Sequence, residues 1–107
     1  MMDKTLKGVR GLVFQELSLA RQENGDYFAN PHEGYGVLAE ELDEGNNEAW
    51  RADMALNRLL NAIRTNNPGK VRGATYDVER FSTQAAAEFI QTAAMARKLR
   101  ESGGGKP

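Results

Sequence analysis

The stretch NPHEGYGVLAEELDE, residues 30–44, contains the clearest helix start in the chain. Asn30 is a favoured N-cap residue, Pro31 suits the first helical position, and Glu33 stands three residues after the cap, as in a capping box. Apolar residues follow at steps of three and four and predict one buried face: Tyr35, Leu38 and Leu42. We therefore expect an amphipathic helix from residue 31 onward.

The residues that follow predict a change of direction and then another helix. Gly45 suits a helix C-cap, and Asn46-Asn47 offers a new N-cap, so we expect a break or kink here, with one continuous helix as the alternative. A third helix over residues 47–65 carries its own apolar face: Leu56, Leu59, Leu60 and Ile63. The sequence Asn66-Asn67-Pro68-Gly69 ends it.

The same spacing predicts a first helix over residues 5–22 and a last helix ending near Glu101. The first carries Leu6, Val9, Val13, Leu17 and Ala20 on one side. The last begins at Asp77 or Ser82 and carries Phe81, Ala85, Thr92, Met95 and Leu99. Residues 70–76 are polar and contain glycine, which predicts a mobile loop. Because no segment alternates as a strand does, we expect an all-α antiparallel bundle of about four helices.

The length of 107 residues allows one domain. We assign it to residues 1–101, with a disordered tail over residues 102–107, because SGGGKP is too polar and glycine-rich to pack. So short a chain buries a limited part of its surface, and sharing a core with a second copy relieves the shortage. The bundle is therefore expected to be completed as a homodimer or a homotetramer.

Composition excludes several classes of partner and site. Net charge is −1 and the basic residues are scattered, so nucleic acid is not an expected partner. Cysteine is absent and histidine occurs once, which excludes thiolate zinc sites and multi-histidine sites within one chain. No apolar run approaches the ~20 residues of a membrane span, and no signal peptide is evident. These observations favour a cytoplasmic protein without a membrane partner.

The acidic residues of the second helix fall on two sides. Successive helical residues turn by about 100°, so Glu41 and Glu44 project beside the apolar face, while Glu40 and Asp43 point roughly the opposite way. An acidic helix often presents only a solvated face, which is the alternative for all four. Carboxylates beside an apolar face, however, stand where a partner helix packs.

Glu88 is the stronger anomaly, because it falls in the middle of the apolar face of the last helix. A buried carboxylate needs a raised pKa, a basic partner or a cation. A salt bridge to Arg58 or Arg64 is one solution. A metal ion shared with Glu41 and Glu44 accounts for all three placements, and an all-oxygen ligand set favours Mg²⁺ or Mn²⁺.

These residues resemble the signature of the MazG-like, all-α nucleotide pyrophosphohydrolases, in particular the small phage and prophage members. Residues 40–44, EELDE, match the EExxE half, and Glu88-Phe89-Ile90-Gln91 stands where the ExxD half is expected. Flanking residues 32–38 and 91–96 extend the similarity over three predicted helices. The two halves occur in the family's order, and each has matching flanks.

The resemblance implies a Mg²⁺ site formed by Glu41, Glu44, Glu88 and Gln91, and hydrolysis of nucleoside triphosphates to monophosphate and pyrophosphate. Two features depart from the family pattern. Gln91 replaces an aspartate, which removes one negative charge and leaves an amide oxygen as a weaker ligand. The interval from Glu44 to Glu88 is also longer than usual and holds the whole of the third helix.

Around such a site, Glu41 or Glu40 would take a proton from the attacking water, although Glu40 points away on an ideal helix. Lys98 lies on the side of Gln91, two turns or about 10 Å further, and is a candidate phosphate ligand. Lys70 and Arg72 would close over phosphates as a lid, or are ordinary solvated loop charges. His32 would contact a base or sugar, or lies at the surface.

Two other functions fit the same residues. A relative acting on another phosphoanhydride, such as phosphoribosyl-ATP, belongs to the same superfamily. A helical interaction protein that has kept the bundle and lost catalysis is the alternative from a different class, and Gln91 is the residue that favours it.

Overall fold

The computed structural model describes residues 2–103, and within them it contains three helices and no strand. The helices are α1 (Met2–Asn24), α2 (Pro31–Arg64) and α3 (Pro68–Glu101). The all-α prediction is confirmed, and the expected number of about four helices is wrong. No helix in this described range has an apolar stretch long enough to cross a membrane. The chain divides into two compact units, Met1–Leu42 with Glu88–Pro107 and Asp43–Ala87.

The start of α2 follows the capping prediction. The side-chain oxygen of Asn30 accepts a hydrogen bond from the backbone N–H of Glu33 at 2.9 Å, and Pro31 is the first helical residue. The Glu33 carboxylate in turn accepts from the backbone N–H of Ala29 at 3.4 Å. These two bonds satisfy N–H groups that have no partner inside the helix, and they fix where α2 begins.

The predicted break at Gly45-Asn46-Asn47 is wrong, because α2 continues through these residues to Arg64. Gly45 is buried rather than placed at a helix end. A glycine costs a helix only about 1 kcal/mol relative to alanine, and packing of one helix face outweighs that local preference. The alternative of one continuous helix is therefore correct.

The predicted loop over residues 70–76 is also wrong, because α3 begins at Pro68 and includes them. Asn67 caps the helix: its side-chain oxygen accepts from the backbone N–H of Lys70 at 3.1 Å. Asn66, with a φ of 50°, makes the left-handed turn between α2 and α3. The expected start at Asp77 or Ser82 is therefore wrong, and the true start carries the same Asn-Pro capping signal as Asn30-Pro31.

The second unit is an antiparallel hairpin of α2 and α3 with a seam of small residues. Its buried apolar side chains are Ala55, Ala62, Ala74 and Ala85. Arg58 pairs with Asp77 across the hairpin at 3.4 Å. The predicted apolar face is largely outside this seam, since Leu56, Leu60 and Ile63 are 53%, 47% and 54% exposed. The leucines were predicted to be buried because they are among the most hydrophobic residues of the helix. The close approach of two helices instead leaves room only for small side chains such as alanine.

In the first unit, the ends of α1 and α3 hold the segment that precedes α2. Leu17 and Phe28 are buried, and Arg21 pairs with Glu101 at 2.6 Å. The hydroxyl of Ser102 accepts from the backbone N–H of Phe28 at 3.1 Å and donates to the backbone oxygen of Lys98 at 2.7 Å. Ser102 is therefore packed, contrary to the predicted tail, and residues 104–107 of that tail lie outside the described residues.

The other predicted apolar positions are confirmed only in part. In α3, Ala85 is buried and Phe81, Thr92, Met95 and Leu99 are half-buried, as expected. In α2, Leu38 is half-buried, but Tyr35 and Leu42 are exposed. In α1, Leu17 is buried while Leu6 is exposed. Much large apolar surface therefore lies outside the core of the single chain.

Candidate metal centre

Three of the glutamates singled out in the sequence come together. One carboxylate oxygen from each of Glu41, Glu44 and Glu88 lies within 4.8 Å of the other two. Glu41 and Glu44 are one turn apart on the uninterrupted α2, and Glu88 belongs to α3. Glu41 and Glu88 are half-buried and Glu44 is exposed. We call this group the glutamate cluster.

Local sequence explains why α3 presents Glu88 at this position. Ala85 and Thr92, one turn before and one turn after it, are buried and half-buried, so all three lie on one helix face. The Thr92 hydroxyl donates to the backbone oxygen of Glu88 at 3.0 Å and does not reach its carboxylate. Among the described residues, the Glu88 Oε2 atom is buried and has no hydrogen-bond partner. A carboxylate oxygen in that state costs free energy unless a cation or a donor satisfies it.

The cluster fits a hard divalent cation. Three carboxylates give an all-oxygen set, which Mg²⁺ and Mn²⁺ accept readily, whereas protein zinc sites are built mainly from histidine and cysteine. Oxygens that share a Mg²⁺ ion lie at most about 4.2 Å apart, because each Mg–O bond is about 2.1 Å long. The observed limit of 4.8 Å is slightly longer than this, so the three oxygens would have to move closer together to share one ion.

Of the other two predicted site residues, Gln91 lies near the glutamate cluster and Glu40 points away from it. Gln91 is half-buried and lines a cavity of about 410 Å³ that Glu41 also lines, within the first unit. Gln91 and one predicted ligand therefore line the same cavity. Glu40 is exposed and is not part of the cluster. This placement agrees with the helical angle, which directs Glu40 away from Glu41.

The predicted phosphate ligands lie in surroundings that the sequence did not indicate. Lys98 is buried, with its Nζ atom 4.4 Å from the centre of the Phe28 ring, a cation–π distance. Lys70 and Arg72 are exposed on the first two turns of α3, so the lid on a mobile loop is wrong in its structural premise. His32 is exposed in the first turn of α2.

Three further glutamates near the site were not predicted from the sequence. Glu48 follows Glu41 by seven residues on α2, and its Oε2 atom is buried without a hydrogen-bond partner in the described range, while Oε1 lies 3.4 Å from Arg51. The spacing of seven places it on the face of Glu41, which is a signal available in the sequence. Glu16 and Glu23 of α1 line the 410 Å³ cavity. Sequence alone does not show which face of α1 meets the other helices.

No protein-family model, curated protein or solved structure matches the chain. The resemblance to the MazG-like family therefore depends on the signature residues themselves. The geometry of Glu41, Glu44 and Glu88 is an observation that does not require it.

Proposed function

We propose that the chain is a Mg²⁺-dependent nucleotide pyrophosphohydrolase that cleaves nucleoside triphosphates to monophosphate and pyrophosphate. The observation that carries this proposal is the glutamate cluster, with its three ligand oxygens within 4.8 Å of one another. The resemblance of residues 40–44 and 88–91 to the two halves of the MazG-like signature supplies the reaction class. Convergent carboxylates on helices are a usual way for helical proteins to hold divalent cations.

In this proposal the side chains hold the cation, orient the substrate and accept a proton. Glu41, Glu44 and Glu88 bind the cation through carboxylate oxygens, and Gln91 contributes an amide oxygen. When bound, Mg²⁺ stabilises developing charge on phosphate oxygens and lowers the pKa of a bound water. A carboxylate of the cluster accepts the proton of the attacking water, with Glu40 as an accessory acceptor, so no side-chain nucleophile is required. His32 is the proposed contact to base or sugar. Lys98 is the proposed contact to phosphate, for which its Nζ atom would have to leave its place over the Phe28 ring.

The test is a panel of nucleoside triphosphates, deoxynucleoside triphosphates and phosphoribosyl-ATP with Mg²⁺ or Mn²⁺, followed by release of pyrophosphate. Glu41→Gln should lower kcat at least about a hundredfold, because it removes a charged metal ligand. Asp43→Asn is the matched control, since Asp43 is an exposed carboxylate of the same helix outside the cluster. It should retain activity.

The outcomes separate the alternatives. Turnover of phosphoribosyl-ATP alone would assign the related phosphoanhydride activity instead. Wild-type activity in Glu41→Gln would remove the cluster from the mechanism. A chain without turnover whose melting temperature does not respond to Mg²⁺ or Mn²⁺ would favour the helical interaction protein.

We further propose that a second copy completes the fold, as a homodimer or a homotetramer in the cytoplasm. Leu56, Leu60 and Ile63 support this, because they follow one face of α2 and stay about half exposed in the single chain. Apolar side chains recurring at this spacing are the usual contact of one amphipathic helix with another.

A further inference from the structure

A cavity in the first unit joins the glutamate cluster to α1. Its volume is about 410 Å³, within the range of roughly 300–1,000 Å³ typical of small-molecule sites. Glu41 and Gln91 form part of its wall, and Glu16, Glu23 and Asn24 of α1 form another part. A molecule in the cavity would therefore touch a cluster carboxylate and the polar groups of α1 at the same time.

The lining combines an apolar surface with acceptor groups. The apolar side chains are Leu19, Ala20, Val37 and Met95. Glu16 and Glu23 are seven residues apart and so lie on one face of α1. Neither side chain makes a hydrogen bond or ion pair with another residue of the described range. Of the two, Glu16 is half-buried and Glu23 is exposed, and a hydrogen bond is stronger where water is partly excluded.

We propose that this cavity holds the guanine base of the nucleotide, with the Glu16 carboxylate accepting hydrogen bonds from N1–H and N2–H. An ionised carboxylate only accepts, and its two oxygens match two neighbouring donors. Guanine alone among the common bases presents two such donors side by side. Adenine and cytosine place an amino group beside a ring nitrogen acceptor, and uracil and thymine place one N–H between two carbonyls. The apolar lining contacts the faces of the ring.

This assignment rests on the proposed function, which supplies the nucleotide as substrate class, and it adds the identity of the base. Glu41 connects the two, because it lines the cavity and belongs to the glutamate cluster. The base would thus lie against α1 while the phosphates reach the cluster. Glu16 then acts as a specificity residue and takes no part in the chemical step.

Nucleoside binding tests the cavity without metal or turnover. The full chain is titrated with guanosine, 2′-deoxyguanosine, inosine and adenosine while backbone amide shifts are followed by NMR. We expect guanosine and 2′-deoxyguanosine to shift the amides of residues 16–24 and to bind about tenfold more tightly than inosine, which lacks the N2 amino group. Glu16→Gln should reduce this preference to about twofold or less, because the amide has one acceptor oxygen.

The control is Glu79→Gln, an exposed glutamate of α3 in the second unit, which should preserve the preference for guanosine. Equal binding of guanosine and inosine, no binding at all, or an unchanged preference in Glu16→Gln would overturn the assignment. A loss on going from guanosine to 2′-deoxyguanosine as large as that to inosine would also overturn it, since the carboxylate would then serve the ribose. If guanosine binds with this preference but no nucleoside triphosphate of the panel is hydrolysed, the cavity assignment stands and the proposed reaction is rejected.

Discussion

Glu88 is the residue at which burial and charge conflict most directly. Its Oε2 atom lies buried without a hydrogen-bond partner in the described range, and two further carboxylates have oxygens within 4.8 Å. Like charges at such distances repel, by roughly 1 kcal/mol in bulk water and roughly 3 to 4 kcal/mol at the effective dielectric near a protein surface. The folded chain keeps this repulsion within the glutamate cluster, and groups perturbed in this way are common at ligand sites.

Glu88→Gln should therefore separate stability from metal binding. Without metal, the variant should be more stable than wild type by about 1 kcal/mol, because one charge of the cluster is removed. With Mn²⁺ at about 100 times its Kd, wild type should gain about 2.7 kcal/mol and the variant much less. Thermal unfolding with EDTA and with Mn²⁺ measures both effects. A variant that gains as much from Mn²⁺ as wild type would exclude Glu88 as a ligand.

Glu101 illustrates the opposite case, a carboxylate with two basic partners. Hydrogen bonds from Arg21 and then Arg97 lower its pKa below the ordinary value of 4.5. A lowered pKa in the folded state means that this interaction stabilises the fold above the unfolded-state pKa. That stabilisation is lost as pH falls through the folded-state pKa.

Arg21→Gln should raise the pKa of Glu101 toward 4.5, because it removes the largest cause of the shift. The variant should be less stable than wild type at neutral pH, and the difference should shrink below the folded-state pKa. Of the Arg21 side-chain hydrogen bonds in the described range, only the one from Nε to the backbone oxygen of Asp26, at 3.4 Å, is independent of the Glu101 charge. Carbon-detected NMR titration of the glutamate carboxyls measures the pKa directly. Arg10→Gln, at an exposed position of the same helix, is the control and should leave Glu101 unchanged. An unmoved Glu101 pKa in Arg21→Gln would contradict the assigned cause.

At the same scale, sequence predicted the glutamate cluster but not the cavity beside it. The angular argument for Glu41 and Glu44 needs only the geometry of one helix, and Glu88 was identified because a charge interrupts an apolar face. The cavity depends on how α1 meets the other helices in the first unit. In the sequence, Glu16 and Glu23 look like ordinary solvated charges, because neither interrupts an apolar face of α1 as Glu88 does in α3.

Among the elements, capping residues predict where a helix starts better than the polarity of the residues that follow. Asn30-Pro31 and Asn67-Pro68 are the same signal, yet the polar residues after Pro68 suggested a loop. Gly45 suggested a helix end because its intrinsic preference is the only local information. Its burial inside a continuous helix is a consequence of packing, which a single sequence does not display.

Two glycines of α2 allow packing to be separated from helix propensity. A Cβ atom at Gly34 would lie 2.6 Å from Leu99 Cδ1, whereas a Cβ atom at Gly36 would meet nothing within 4 Å. Gly36→Ala should stabilise the fold by about 0.5–1 kcal/mol, because alanine is the better helix former. Gly34→Ala should be less stable than Gly36→Ala, by up to about 1 kcal/mol, because the methyl group displaces the end of the Leu99 side chain.

Urea denaturation of the two alanine variants gives the comparison. Leu99→Ala combined with Gly34→Ala should cost less than the sum of the single changes, since the truncated side chain makes room for the methyl group. Equal stability of Gly34→Ala and Gly36→Ala would show that the contact with Leu99 is not restrictive. The pair is matched, because both glycines occupy the same helix within one turn.

For the whole molecule, the distribution of apolar side chains indicates that the single chain buries little of its large apolar surface. Five of the seven buried apolar residues in the described range are alanines, while many large apolar side chains are exposed. An alanine contributes little apolar area compared with a leucine, so this core stabilises the fold weakly. Burying the exposed leucines against a second copy would supply area that the chain does not bury alone.

Leu60→Asp should accordingly shift the chain toward monomer. Leu60 is 47% exposed and lies between Leu56 and Ile63 on the exposed face of α2, so a charge there would be buried without a partner in the assembly. The dissociation constant of the wild-type oligomer should rise at least about tenfold, the factor that corresponds to 1.4 kcal/mol. Sedimentation velocity over a concentration series measures it.

Asn47→Asp is the control, because it adds the same charge at an exposed polar position of the same helix and should leave the association unchanged. Circular dichroism of both variants distinguishes dissociation from unfolding, since a folded monomer keeps its helical signal. A wild-type chain that sediments as a monomer at every concentration would reject self-association. An oligomer indifferent to Leu60→Asp would place its interface elsewhere, because a contact that includes residues 56–63 does not tolerate an unpaired buried carboxylate.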